Sequence, residues 1–201
     1  MTQALSKLLT FEEFLEWYPE GGRRYELIEG EIVEMRPVGQ HELIASFIDA
    51  ELTLEIRRLQ LPYFSSRNTL VKPTRLGSAD LPDVIVLNRE ALGADPYWEQ
   101  FSTISVGSSA RLVVEVVSTN WQDDYLRKLA DYETLGIREY WIVDYLGLGA
   151  TRYIGRPKQP TISVYQLVEG EYQVNQFRGA EQVISPAFPE LALTAAQVFQ
   201  A

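Results

Sequence analysis

A chain of 201 residues with 46% hydrophobic content can bury a sizeable core in one globular domain, and no apolar run in it approaches the roughly 20 residues of a membrane span. It has no cysteine and a single histidine, which excludes disulfides, thiolate metal sites and a typical structural zinc site. The net charge of −10 argues against broad nonspecific nucleic-acid binding, although residues 61–160 carry 12 acids and 11 bases and are nearly neutral.

Thr10 followed by Glu13 predicts a capping box for a short helix over 11–17, ended by Pro19 and Gly21-Gly22. Residues 24–28 and 32–36 read as two strands joined by a turn at Glu29-Gly30. Residues 41–60 lack Gly and Pro and show helical spacing. His41, Ile44, Ile48, Leu52 and Leu59 fall within one face, and Leu43, Phe47 and Leu54 form a second stripe about 110° away. Two stripes predict one face on a sheet and the other on another element or a second subunit, so a homodimer is expected. Residues 64–74 read as one strand ending at Pro73, and 83–87 as a short buried strand. Residues 89–109 read as irregular, a functional loop or an insertion.

Residues 112–117 have the length and β-branched content of a strand buried on both faces. Ser118, Thr119 or Asn120 caps a predicted helix over about 122–135, which Gly136 stops. A strand over 139–145 follows. Alternating strands occupy 152–185 with a hairpin turn near Glu169-Gly170, and a short helix capped by Thr194 lies within 191–199. The order defines a mixed α/β core in a single domain spanning 1–201. No signal segment opens the chain, so a soluble cytoplasmic protein is expected.

The buried strand carries an acid, Glu115, inside Leu112-Val113-Val114-Glu115-Val116-Val117. A carboxylate there must be paired, neutralised or bound to a metal. Asp83 follows Pro82 and opens Val84-Ile85-Val86-Leu87, so two adjacent strands each bring one acid. Together they suit a hard cation such as Mg²⁺, which takes one or two carboxylates plus water and phosphate. The plainer alternatives are Asp83 as a turn residue and Glu115 as half of a buried ion pair. Lys128 falls inside the apolar arc of its helix, between Leu135 and Tyr132, while Arg127 and Asp131 fall outside. From there its ammonium points back at Glu115 and can hold a water or stabilise charge on phosphate. Alternatively it snorkels past the helix edge or pairs with Asp124. His41 is suited to proton transfer, or is a satisfied core or cap residue. Glu26 is either a third carboxylate of the site or an exposed strand acid. No phosphate-binding glycine loop is present, since Gly147-Leu148-Gly149 lacks a following lysine and helix. No serine sits in a nucleophile elbow.

Leu81-Pro82-Asp83-Val84 and Val114-Glu115-Val116-Val117-Ser118, then Lys128, Tyr132, Gly136 and Glu139-Tyr140-Trp141-Ile142-Val143-Asp144, resemble the Uma-two family. Tyr25-Glu26-Leu27-Ile28-Glu29-Gly30-Glu31, His41, Ser185-Pro186 and Pro189-Glu190-Leu191 match its pattern too. The resemblance implies a restriction-endonuclease-like (PD-(D/E)XK) core with a mixed central sheet flanked by helices, extended by N-terminal and C-terminal β-hairpins. It implies metal binding by Asp83 and Glu115, with the Val116 carbonyl and Glu26 as further ligands and Mg²⁺ or Mn²⁺ as the cation. That superfamily places a lysine two residues after the glutamate. Val117 stands there in this chain, and Lys128 is the natural replacement.

Three readings follow. The first is a Mg²⁺-dependent nuclease acting on DNA, with Asp83, Glu115, Lys128 and His41 as its catalytic residues. The second is a nucleic-acid-binding or regulatory module with an idle core, favoured by the acidic charge and by Val117. The third is a partner-binding protein that self-associates through Leu43, Phe47 and Leu54. Residues 89–109 and the basic run Arg152, Arg156 and Lys158 are candidates for meeting substrate.

Overall fold

The computed structural model describes residues 8–201. Thr10 caps helix α1 (Phe11–Trp17): its hydroxyl accepts from the Glu13 N–H, and the Glu13 carboxylate accepts from the Thr10 N–H. Strands β1 (Arg24–Ile28) and β2 (Glu31–Met35) form an antiparallel hairpin of their own. Its turn residues Glu29 and Gly30 have φ of 51° and 86°, the left-handed pair that a two-residue hairpin needs. Helix α2 (Gly39–Arg58) follows, then β3 (Tyr63–Ser66), β4 (Leu70–Val71) and β5 (Val84–Asn88). Two short helices, α3 (Arg89–Leu92) and α4 (Trp98–Phe101), precede β6 (Thr103–Ile104) and β7 (Ala110–Val116). A π-helical turn, Asp123–Lys128, runs directly into α5 (Leu129–Leu135). The chain closes with β8 (Glu139–Asp144), α6 (Thr151–Ile154), the hairpin β9 (Thr161–Val168) and β10 (Glu171–Phe177), and α7 (Ala195–Phe199).

Six strands form the central sheet in the order β10-β9-β8-β7-β5-β3. Only β7 and β8 run parallel, as the helical connection between them requires. Strand alternation divides the core. Val84, Val86, Leu112, Val114 and Val116 face α2, which lays Ile44, Ile48, Leu52 and Ile56 on them. Ile85, Val113 and Val117 point the other way, towards Tyr125 and Tyr132 of the second helical stretch. Glu115 shares that second face with Val113 and Val117. The hairpin β1–β2 lies outside the central sheet. It is tied to the segment before β5 by paired bonds between Leu27 and Ala79, both 2.9 Å.

Three expectations are corrected. The strand expected over 64–74 is broken: β3 pairs with β5 in the central sheet, whereas β4 pairs with β6 in a separate two-stranded sheet. Ser66 makes the break by accepting from the Asn68 N–H and the Thr69 hydroxyl. The stretch 89–109 is ordered rather than irregular. Asp95, buried, accepts from the N–H groups of Ser105 and Val106 and from the hydroxyls of Ser105 and Ser109. Gly107 is required there, because a Cβ would sit 2.3 Å from the Leu135 carbonyl oxygen at the end of α5. On α2, no described element covers Leu43 and Leu54, which are exposed, whereas Phe47 is half-buried and packs against the core.

The C-terminal hairpin is an extension of the central sheet, and beyond it α7 begins only at Ala195. Glu139 anchors the segment between them. Its buried carboxylate accepts from Trp141 Nε1 at 2.7 Å, Ser185 Oγ at 2.6 Å and the Ala187 N–H at 2.6 Å. Truncating it leaves three buried donors without an acceptor, and one such donor costs about 1–3 kcal/mol. Glu139→Ala is therefore expected to lower stability by about 3 kcal/mol or more in urea titration. A loss below about 0.5 kcal/mol would show that this tail is not held by the carboxylate. No described helix is long and apolar enough to cross a membrane.

Candidate active site

The register Val84↔Val114 and Ile85↔Val113, continued one step, brings Asp83 opposite Glu115. Both are buried, at 7% and 2% exposure. Asp83 Oδ2 accepts from the Val116 N–H at 2.9 Å and lies 3.2 Å from His41 Nε2 at the start of α2. Its Oδ1 is 3.7 Å from the Arg24 guanidinium. Burial alone would raise the Asp83 pKa, but the His41 hydrogen bond and charge and the Val116 N–H outweigh it and hold the carboxyl below its ordinary range. Burial likewise opposes charging of His41, and Asp83 overcomes it, so the imidazole pKa is raised.

Glu115 meets Lys128 on the other side of the pair. Lys128 Nζ lies 2.9 Å from Glu115 Oε1 and 2.9 Å from Glu26 Oε1, with Asp124 Oδ1 at 4.0 Å. The Tyr132 hydroxyl donates to the same Glu115 oxygen at 3.0 Å. Burial is the main influence on Glu115 and pushes it up to about 8; the Asp83 and Glu26 charges add to that, and Lys128 opposes it. Asp124 is raised as well, again chiefly by burial. Burial works against the Lys128 charge, but Glu115, Glu26 and Asp124 outweigh it, and the ammonium is held more firmly than usual. One ammonium thus faces three acids, and burial favours the neutral form of two of them, Glu115 and Asp124.

The expected residues are thus found together. Glu26, His41, Asp83, Glu115, Val116 and Lys128 all line one cavity of about 360 Å³. Glu26 is not an exposed strand acid: it is 1% exposed and also accepts from the Leu81 N–H. Lys128 does not snorkel, and its contact with Asp124 is longer than those with the two glutamates. Residues 89–109 and Arg152, Arg156 and Lys158 are absent from the cavity lining.

The helical wheel misplaces two neighbours. Arg127 and Asp131, expected outside the buried arc, turn inward. Arg127 reaches Asp80 Oδ1 at 2.5 Å and Glu26 Oε2 at 3.6 Å, and Asp131 is buried against Arg75. Hydrogen bonding from i to i+5 shifts the phase of a helix, so consecutive residues 127 and 128 both serve the interior. Asp80 is fully buried, which pushes its carboxyl up to about 6 against the opposing charge of Arg127. Arg24, Asp80 and Arg127, which no spacing in the sequence singles out, complete the charged cluster together with Asp124, the residue four before Lys128.

Among the described residues no group of three or more His, Asp or Glu side chains is arranged to hold a metal unaided. The donor set still fits a hard divalent cation bound by two carboxylates, the mode Mg²⁺ commonly takes. Asp83, just before β5, and Glu115 on β7 offer hard oxygens side by side, and a divalent charge would relieve the excess of acids over cations around Lys128.

A mixed six-stranded sheet with helices on both faces and an Asp–Glu pair on neighbouring strands is a fold of the restriction-endonuclease-like class. The chain belongs to the Uma-two (Uma2) family, described as "Putative restriction endonuclease", which it matches over residues 11–196. It is similar in fold to a crystal structure of "a putative nuclease belonging to DUF820" from Anabaena variabilis. That match is 19% identical, covers 96% of this chain and 98% of that chain, and has a TM-score of 0.71. No curated protein matches the chain.

Proposed function

We propose that the protein is a metal-dependent nuclease that hydrolyses phosphodiester bonds in DNA. The observation that carries this is the 2.9 Å approach of Lys128 Nζ to Glu115, from a helix, in a chain with valine at position 117. In this reading Asp83, Glu115 and the Val116 carbonyl hold Mg²⁺ or Mn²⁺, with Glu26 as a further ligand. The cation supplies Lewis acidity at a phosphate oxygen and lowers the pKa of bound water. Lys128, anchored on Glu26 and Glu115, has a third N–H with which to orient the attacking water. His41, its charge favoured by Asp83, holds a proton at Nε2 for the departing oxygen.

The test uses supercoiled plasmid and circular single-stranded DNA with Mg²⁺ or Mn²⁺. Cleavage is expected, with a fall on the order of 10³-fold in Asp83→Ala and in Glu115→Ala. Activity that survives in both variants sinks the assignment. The alternative is an inactive nucleic-acid-binding module on the same fold, favoured by Lys128 being engaged with two carboxylates and by Val117 lying in an apolar cluster. Calorimetry with Mg²⁺ separates the two: no metal binding, with DNA binding intact, selects the module.

A further inference from the structure

The acids of this site lie deep. Glu26, Glu115 and Lys128 are 1–3% exposed at the floor of a cavity of about 360 Å³. One wall is the second strand of the N-terminal hairpin and the residues after it, including Met35 and Val38. The lining also includes Tyr145 and Leu146, just beyond β8. Val38 and Leu146 are largely exposed, so the lining meets solvent in apolar side chains.

The charges around this cavity are unfavourable for a duplex. Arg24, Arg36 and Lys128 are the lining arginines and lysine, and His41 beside them is occupied with Asp83. Arg24 faces Asp83, Arg36 reaches Glu34 at 2.6 Å, and Lys128 sits between two glutamates. Both forms of DNA need cations for their phosphates, but the denser charge of a duplex makes it depend on them more, and it also needs an interface of about 1,000–2,500 Å². A rigid double helix also cannot readily follow a recess whose acids are this buried. A single strand can, because its backbone is flexible and its unstacked bases seek apolar and aromatic surfaces.

We propose that the cavity admits single-stranded DNA. One phosphate reaches Asp83 and Glu115, and the adjoining unstacked base rests on the lining side chains of Met35, Val38, Tyr145 and Leu146. This rests on the nuclease reading for the role of the two acids and adds the strandedness of the substrate.

The experiment measures fluorescence anisotropy of a labelled 12-residue oligonucleotide, single-stranded and as a duplex, with the full chain in Ca²⁺ buffer. The same oligonucleotides are then assayed for cleavage in Mg²⁺. Single strand is expected to bind at least tenfold more tightly than duplex. The double variant Val38→Ser with Leu146→Ser, at two exposed positions, is expected to weaken single-strand binding about tenfold, the scale of one lost base contact. Duplex binding equal to or tighter than single-strand binding overturns the inference, as does an unchanged single-strand affinity in the double variant. If duplex is bound and cut and Asp83→Ala abolishes the cutting, the inference falls and the nuclease reading stands. If single strand is bound preferentially but nothing is cut, the nuclease reading falls and the inference stands.

Discussion

Lys128→Met is expected to lower stability at pH 8 by about 3–5 kcal/mol, the usual cost of removing one partner from a buried ion pair. The ammonium is the nearest cation to Glu26 and Glu115, each at 2.9 Å, and it also faces Asp124. Methionine fills nearly the same volume, so the loss reports charge rather than a cavity. The deficit should shrink towards pH 5, because carboxyls already raised by burial take up protons once the ammonium is gone. Urea titrations at the two pH values measure this, and an equal loss at both would assign the effect to packing. DNA cleavage should fall by about 10²–10⁴-fold, the range of a lost acid–base or water-orienting group. It should fall even at pH 5, where the fold is nearly restored. That separates the part Lys128 plays in the reaction from the part it plays in holding the carboxylates.

Glu115→Gln should move stability and activity in opposite directions. Burial pushes the Glu115 carboxyl up to about 8 in the folded chain, against its ordinary value of 4.5. Between those values the folded chain keeps a proton that the unfolded chain has lost, so stability falls as pH rises through that window. His41 adds a slope of the same sign: its raised pKa gives stability that is present below about pH 6.5 and lost as pH climbs through the folded value. Glutamine cannot ionise, so the variant should be at least as stable as the parent at pH 8, with a shallower slope to which His41 and the raised carboxyls of Asp80, Asp124 and Glu139 still contribute. Cleavage should nonetheless drop on the order of 10³-fold, because a neutral amide is a poor ligand for a hard cation. Thermal denaturation from pH 5 to 8 beside a cleavage assay reads both. A variant that is less stable than the parent at pH 8 would mean that the Lys128 contact outweighs the burial of the second acid. Metal binding is linked to the same proton: a divalent cation at Asp83 and Glu115 would expel it.

The sequence already carries much of this site, because an acid within a β-branched run conflicts with burial wherever the run is placed. Glu115, Asp83 and Lys128 stand out on that ground, and the Glu-Gly turns at 29–30 and 169–170 show the hairpins directly. What escapes the sequence is of two kinds. Some of it depends on helix phase: the π-helical turn brings in Arg127, where a wheel at 100° per residue points it outward. The rest depends on hydrogen bonds between distant residues. Asp95 gathers a serine-rich loop 10 to 14 residues away, and Glu139 holds a tail 46 and 48 residues on. Glu26 belongs with these, because its burial comes from Leu81 and Lys128 rather than from its own strand.

The hairpin β1–β2 stands outside the six-stranded sheet, yet its Glu26 receives both consecutive cations of the π-helical turn, Lys128 at 2.9 Å and Arg127 at 3.6 Å. A fragment starting after the hairpin would retain every strand of the sheet, both acids at its centre and the lysine. It would lack the carboxylate that Lys128 and Arg127 share. The strands of the sheet and the charge balance at its centre therefore draw on different lengths of this chain.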